Sequence, residues 1–526
     1  MNGSKMTCST IRGGLRSTLG AAAVANAAIL LAEPAHARPR IPVMVQVTHL
    51  TTGTIEWPRI RSQEGSRIAF VSDGDVMGPG TETAVRQVYL YDVASGVTTQ
   101  VTNDPTYPSY EAARPTDDQF AGGRPEIVAF ISEADLDPSV GNADHNPEVF
   151  LWEFGSAQVH QLTNTLPPVV NGNPFPSDSG RCVVFDSNAN LNQNNGTQDP
   201  TNNPGEGAGN PPLSNEDASR EVFLYSLNSP NGYPQDGYYT QVSSGPTGTT
   251  SYRPVVGGYW FPRQCQSTVW MSDHDQVGGP RMGTHIFEFD RASGKRIDMV
   301  APETPNGQPD GQYLNPMISA ASPFARGPFA VFSTDADLWN NGSNGWNMFR
   351  YRIFHPRQTQ YTKDVAGPVF NPVITDGGGL IAFESTGEPI NPDSRIRDGQ
   401  VPPFNADGNS EIFWQFGRNK MYQLTQTTGC QNDQPSVRDD GTSLTFRSSC
   451  DLIPGHNPGG VQQVFLYYQV KASSPEACVK PDRYGCECEV SEGCCNDAND
   501  CLDIIVGGVR DPNRKNCVER GNCPVD

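Results

Sequence analysis

The sequence predicts an all-β fold: a seven-bladed β-propeller closed by an N-terminal strand, followed by a small disulfide-rich C-terminal module. Three observations predict it. A ten-residue phrase recurs seven times with an aromatic and, five residues on, Asp, Asn or Glu at fixed spacing. Short β-branched and aromatic runs are punctuated by 53 glycines and 45 prolines, which leaves little room for long helices. The last copy of the repeat lacks its fourth strand, and a strand of that type stands near the start of the chain.

Residues 1–37 come first and read as a secretory signal. Lys5, Arg12 and Arg16 lead, an Ala-rich run from Leu19 to Ala32 follows, and "AHA" at 35–37 is a small-x-small cleavage pattern. The chain is therefore expected to be exported, to the periplasm, cell surface or medium. The propeller is assigned to 38–472. Its first phrase, "MVQVT" at 44–48, matches phrases that elsewhere close a unit: "TTQVT" at 98–102, "VHQLT" at 159–163 and "MYQLT" at 421–425.

Each unit reads as four strands, A to D. Strand A is marked by a proline (Pro58, Pro115, Pro174, Pro254, Pro316, Pro372 and Pro435), read as the first residue of the strand, where its missing donor is tolerated. Strand B carries the aromatic: Phe70, Phe130, Phe185, Trp270, Phe332, Phe383 and Phe446. Strand C follows ("QVYLYD", "EVFLWE", "EVFLYS", "HIFEFD", "NMFRYR", "EIFWQF", "QVFLYY"), and the "QVT" phrase is strand D. Four short strands repeated seven times define a propeller. Because the seventh unit ends after strand C, residues 44–48 are expected to supply its strand D and so close the ring.

The last segment, 473–526, is the expected disulfide module. Eight of the 13 cysteines fall at 478, 486, 488, 494, 495, 501, 517 and 523. In an exported chain such density reads as a disulfide framework. Within the propeller, Cys430 and Cys450 flank one A–B hairpin with Asp440–Gly441 midway. They are expected to bond, leaving Cys182 to pair with Cys265 between neighbouring blades.

The proline–strand pattern with its "hAFxS…EhFhhD" phrase resembles the TolB-like, WD40-like (PD40) propeller repeats of secreted bacterial proteins over roughly 43–470. The α/β domain that precedes the propeller in TolB has no counterpart in this sequence. The resemblance implies an interaction platform, or the propeller half of a peptidase.

Outside the signal, 34 basic side chains face 57 acidic ones, a balance that disfavours nucleic acid and anionic lipid as partners. A protein or glycan partner is expected instead. The B–C connections are the elaborated ones, above all 191–220 and 389–410, so function is expected on the face that carries the B–C and D–A loops. Trp339 and Trp346, in the fifth blade's B–C loop, are candidate anchors. Two of these loops share Asn-x-Asp-x-Asn-x-Glu: Asn142, Asp144, Asn146 and Glu148, then Asn405, Asp407, Asn409 and Glu411. A looser copy is Asn215, Asp217, Ser219 and Glu221. Alternating oxygen ligands are one way to hold Ca²⁺, and Asx-turns leading into strand C are the other reading.

No catalytic motif stands out. There is neither G-x-S-x-G nor H-E-x-x-H, and Asp273-His274-Asp275 sits on the shared repeat frame. A carbohydrate-active or other hydrolase using carboxylates at the propeller channel is the alternative to a non-catalytic binding protein.

Overall fold

In a computed structural model, described over most of 40–471, seven four-stranded antiparallel sheets form the ring. Outside the description lie 1–39, 62–66, 117–125, 192–214, 227–236, 258–264, 278–282, 301–311, 320–327, 340–344, 354–356, 390–404, 417–419, 472–486 and most residues between the tail strands, together with a few single positions. The signal at 1–37, much of the two long B–C loops and the tail's disulfide framework thus fall outside the described residues. In the tail the backbone forms one small sheet from Glu487–Glu489, Cys501–Val506 and Val509–Cys517.

Strand order within each blade is A-B-C-D. Blade 1 is Ile55–Arg61, Arg67–Ser72, Gln87–Asp92 and Val97–Gln100, and the pattern repeats to blade 6. Blade 7 contains Asn432–Val437, Ser443–Ser448 and Gln463–Lys471, and its fourth strand is Arg40–Gln46. Arg40 pairs with Lys471 and Gln46 with Phe465, a seven-residue antiparallel ladder. The N-terminal strand therefore closes the ring, removing the unpaired edge that a three-stranded last blade would expose.

The repeated aromatic is buried in every blade and faces a strand C aromatic directly across the ladder. Phe70–Tyr89, Phe130–Phe150, Phe185–Phe223, Trp270–Phe287, Phe332–Phe349, Phe383–Phe413 and Phe446–Phe465 have ring centroids 5.6 to 6.1 Å apart. Such directly opposed pairs set the register of B against C. Apolar clusters then join blade to blade. The one at the closure holds Val47, Leu50, Ile55, Ile60 and Phe70 with Val464 and Leu466.

Strand A differs from the expectation in two ways. Its proline lies inside the strand, one residue after a bulge, rather than at its first residue; Pro58, for example, is the fourth residue of Ile55–Arg61. A bulge excuses the missing donor as well as a strand end does. In blade 2 the matching residue is Ala112, not Pro115. Strand A there is only Ser109–Tyr110, and Glu111 takes the bulge position.

Two disulfides fix the ring. Cys182–Cys265 joins blade 3 to the A–B hairpin of blade 4, with Cα atoms 6.2 Å apart. Cys430–Cys450 closes the A–B hairpin of blade 7, with Cα atoms 5.4 Å apart. The second follows from register: Asn432 pairs with Ser448, so two residues outward 430 faces 450.

Candidate binding face and central channel

The bulge in strand A shapes the centre of the molecule. In all seven blades the residue before the proline (or before Ala112) has a left-handed backbone: Trp57, Glu111, Asn173, Arg253, Asn315, Asn371 and Gln434, with φ between 45° and 54°. This conformation is uncommon outside glycine, and seven equivalent cases make it a built-in feature of the ring. The bulge takes the N–H of that residue out of its own ladder. A side chain of the preceding blade accepts it in four cases. Asn173 N–H donates to Glu111 Oε2 at 2.5 Å and Arg253 N–H to Asp186 Oδ2 at 3.1 Å. Gln434 N–H donates to Glu384 Oε2 at 2.5 Å and Trp57 N–H to Gln434 Oε1 at 2.6 Å. These bonds stitch the blades together around the axis.

Six of these seven residues, all but Gln434, line a cavity of about 290 Å³, the central channel. Its walls are Trp57, Arg59, Glu111, Asn173, Arg253 and Asn371, with the strand A prolines between them. Behind them, on strand B, Asp186 and Glu384 replace the apolar residues found there in blades 1, 2 and 4. Asp186 is paired with Arg220 and accepts Asn173 Nδ2 at 2.8 Å. Burial nonetheless raises its pKa to about 6, outweighing Arg220. Glu384 accepts Asn371 Nδ2 at 2.9 Å and rises to about 7, through burial first and the charge of Asp433 second. Glu111 is also raised, by burial. Arg59 falls to about 10, because burial and the charge of Arg253 disfavour its cation more than Glu384 favours it.

The Asn-x-Asp-x-Asn-x-Glu residues gather into a polar cluster at the start of strand C. Asn142 Nδ2 donates to the Asn146 carbonyl at 2.9 Å, and Asn146 Nδ2 to Thr165 Oγ1 at 2.7 Å and Glu148 Oε1 at 3.3 Å. Glu148 Oε1 also accepts the Thr165 N–H at 2.6 Å. Blade 6 repeats this: Asn405 Nδ2 reaches the Asn409 carbonyl at 2.8 Å, Asn409 Nδ2 reaches Glu411 Oε1 at 3.0 Å, and Thr427 N–H reaches Glu411 Oε1 at 2.6 Å. Asp144 and Asp407 stand apart, exposed to solvent.

The first residue of strand C does the same work elsewhere: Glu221 accepts Gly245 N–H at 2.6 Å, and Gln463 accepts Leu50 N–H at 3.0 Å. Gln463 has no charge to offer a cation, yet it makes the staple that holds the D–A connection. Among the described residues no three His, Cys, Asp or Glu side chains converge on a metal position. Chelation of divalent ions is therefore expected to leave the Tm unchanged. A fall that Ca²⁺ but not Mg²⁺ reverses would put a cation at these loops.

In blade 4, Asp273 Oδ1 accepts Thr250 N–H at 2.7 Å and Asp275 Oδ1 accepts Val277 N–H at 2.9 Å, so both serve turns of the repeat frame. Trp339 is exposed, with its ring edge-on to Phe349 at 6.3 Å. Trp346 is half-buried against the cluster of blades 5 and 6, and its backbone N–H bonds to the Val365 carbonyl at 3.1 Å. Of the two, only Trp339 offers much surface to a partner.

Exposed large apolar side chains are distributed unevenly. Among the described residues, Met77, Val140, Val277 and Trp339 lie in B–C connections, and Leu166 and Val170 in a D–A connection. Only Val97 and Phe416 lie at the C–D end. Scattered exposed apolars are ordinary. Six of these eight thus lie at the B–C/D–A end, where the connections are also the longest.

The channel arginines and acids were missed by sequence reasoning. Their signal was available: within a frame where proline is nearly fixed, the residue before it runs Trp, Asn, Arg, Asn, Asn and Gln.

No protein-family model matches the chain, and no curated protein matches it. Solved structures do resemble it. An oligogalacturonate lyase from Vibrio parahaemolyticus is 8% identical, covering 81% of this chain and 93% of that one, with a TM-score of 0.48. An oligogalacturonate lyase in complex with manganese is 10% identical over 82% and 97%, with a TM-score of 0.46. TolB from Acinetobacter baumannii is 11% identical over 81% and 79%, with a TM-score of 0.32.

Proposed function

We propose that this chain is an exported, non-catalytic binding protein built from TolB-like repeats, which takes a protein or glycan partner on its B–C/D–A face. The observation that carries the reading is the placement of exposed apolar side chains on that face, from Leu166, 73% exposed, to Trp339, 43% exposed. Apolar surface rimmed by polar loops is the usual ground for recognition. Export is in keeping with the two disulfides of the ring. No helix among the described residues is long and apolar enough to cross a membrane.

The channel hydrolase reading has one observation in its favour: Glu384, at about 7, lies in the range of a general acid or base. Both its oxygens, however, are engaged by protein donors, Asn371 Nδ2 and Gln434 N–H. That engagement suits a structural carboxylate better than a proton-transferring one.

The paired substitution Leu166→Ser and Trp339→Ser is expected to weaken retention on a glycan array or an immobilised envelope fraction by about tenfold or more, with little change in Tm. Val97→Ser, at the opposite end, should change neither. Equal retention by all three proteins would refute the assignment of the face.

A further inference from the structure

We infer that the central channel binds a small organic acid, its carboxylate held between the guanidinium groups of Arg59 and Arg253. This goes beyond the face reading and stands on the channel alone. Both arginines line the cavity of about 290 Å³. Among the described residues neither side chain makes a hydrogen bond or an ion pair, although Arg59 lies over the Trp57 ring at 4.9 Å.

Three other described arginines are matched to carboxylates. Arg447 forms a two-pronged pair with Asp433 at 2.7 and 2.6 Å, Arg220 is paired with Asp186, and Arg86 reaches Glu56 at 2.9 Å. Among these described arginines, only the pair facing the cavity lacks a carboxylate.

The nearby acids have other partners, although Glu111 also lines the cavity and is bonded only through Oε2. Glu384 and Glu111, the acids that act on Arg59 and Arg253 through space, are themselves engaged by Gln434 and Asn173 N–H and, for Glu384, by Asn371. The two guanidinium groups are near enough for Arg253 to disfavour the charge on Arg59. An anion between them would relieve that repulsion. A guanidinium presents a planar fork that matches a carboxylate in two parallel bonds. Trp57 and the prolines supply a flat apolar wall for the rest of the ligand, which points to an organic acid rather than a bare inorganic ion. The cavity sits at the lower end of ligand-pocket sizes, so the ligand is small.

The test is calorimetric titration of the whole chain with succinate, benzoate, gluconate, the neutral amide succinamide, and inorganic phosphate. At least one carboxylate should bind and succinamide should not. Arg253→Asn, at a residue that is exposed to solvent, should weaken binding about tenfold through the loss of one charge-assisted hydrogen bond. Asparagine already occupies this left-handed position in three blades, at Asn173, Asn315 and Asn371, so the variant keeps the backbone. Arg59→Met should do the same, with Tm checked beside it. Failure of every carboxylate to bind, or binding unchanged in Arg253→Asn, would overturn the inference. Phosphate bound in place of the carboxylates would overturn the choice of ligand.

Discussion

Deleting residues 38–50 is expected to lower the Tm by about 10 °C or more, as the ring loses the outer strand of its last blade. The segment buries Val43, Val47 and Leu50 almost completely, each contributing roughly 1.5–3 kcal/mol on leaving water. It also supplies the ladder to Gln463–Lys471. Further bonds would go, among them Thr48 Oγ1 to Gln463 Oε1 at 2.8 Å, Gln463 Nε2 to the Leu50 carbonyl at 2.8 Å and the Leu50 N–H to Gln463 Oε1 at 3.0 Å. Without them strand C of blade 7 becomes an exposed edge and the interface of blades 7 and 1 is half stripped. Calorimetry on the truncated and full chains reads the effect. An unchanged Tm would mean that the strand does not close the ring.

The second large effect concerns Glu288. In blades 1, 2, 3 and 7 its position in strand C is Leu90, Leu151, Leu224 and Leu466. Glu288 is 1% exposed, and its Oε2 has no hydrogen-bond partner among the described residues. Burial, with Asp290 adding to it, raises the carboxyl to about 8 from 4.5. The folded chain therefore holds a proton there that the unfolded chain releases near pH 4.5. Between those values the folded state binds more protons, so stability falls as pH rises from about 4.5 to 8 and is level beyond. Glu288→Leu removes that slope and restores the residue of the sister blades. It is expected to stabilise the protein by a few kcal/mol at pH 8, since a tenfold difference in proton affinity is worth about 1.4 kcal/mol, and by less as pH falls toward 5. Denaturant melts of both proteins at pH 5 and pH 8 check it. A variant less stable than the parent at both would show that Glu288 is satisfied in the fold.

The ring was legible because its signals repeat. An aromatic at the same place in seven strands exposes the B–C pairs, and a missing fourth strand at one end with a spare at the other exposes the closure. The Cys430–Cys450 bond follows from counting outward from one turn. Legibility failed where a signal depended on backbone conformation. Nothing in "EWPR" or "YRPV" says that the residue before proline turns left-handed and bulges, so the proline reads as a strand start. In blade 2 a nearby Pro115 draws the eye from Ala112, the true match. The channel stayed hidden for the same reason, since Arg59 and Arg253 lie in different blades and meet only when the ring closes. Asn-x-Asp-x-Asn-x-Glu is ambiguous because a cation cage and an Asx-turn ask for the same residue types. In the folded ring Glu148 and Glu411 each take a backbone N–H from the following D–A connection, which is in keeping with the turn reading, and the chelation experiment tests between the two.

A partner seated on the B–C/D–A face should depend on the longest loop there. Residues 192–214 are replaced by a Gly/Ser linker, keeping Leu191, which is buried, and Asn215, whose Nδ2 bonds to the Ala189 carbonyl at 3.1 Å. In a second protein the C–D turn at 93–96 is replaced instead. Retention on glycan arrays and on immobilised envelope extract is measured for both and for the parent, with Tm alongside. Both variants should keep the parent's Tm, with retention lost only when the loop is replaced. Retention kept by the loop variant, or lost in the turn variant, would place the partner elsewhere on the ring.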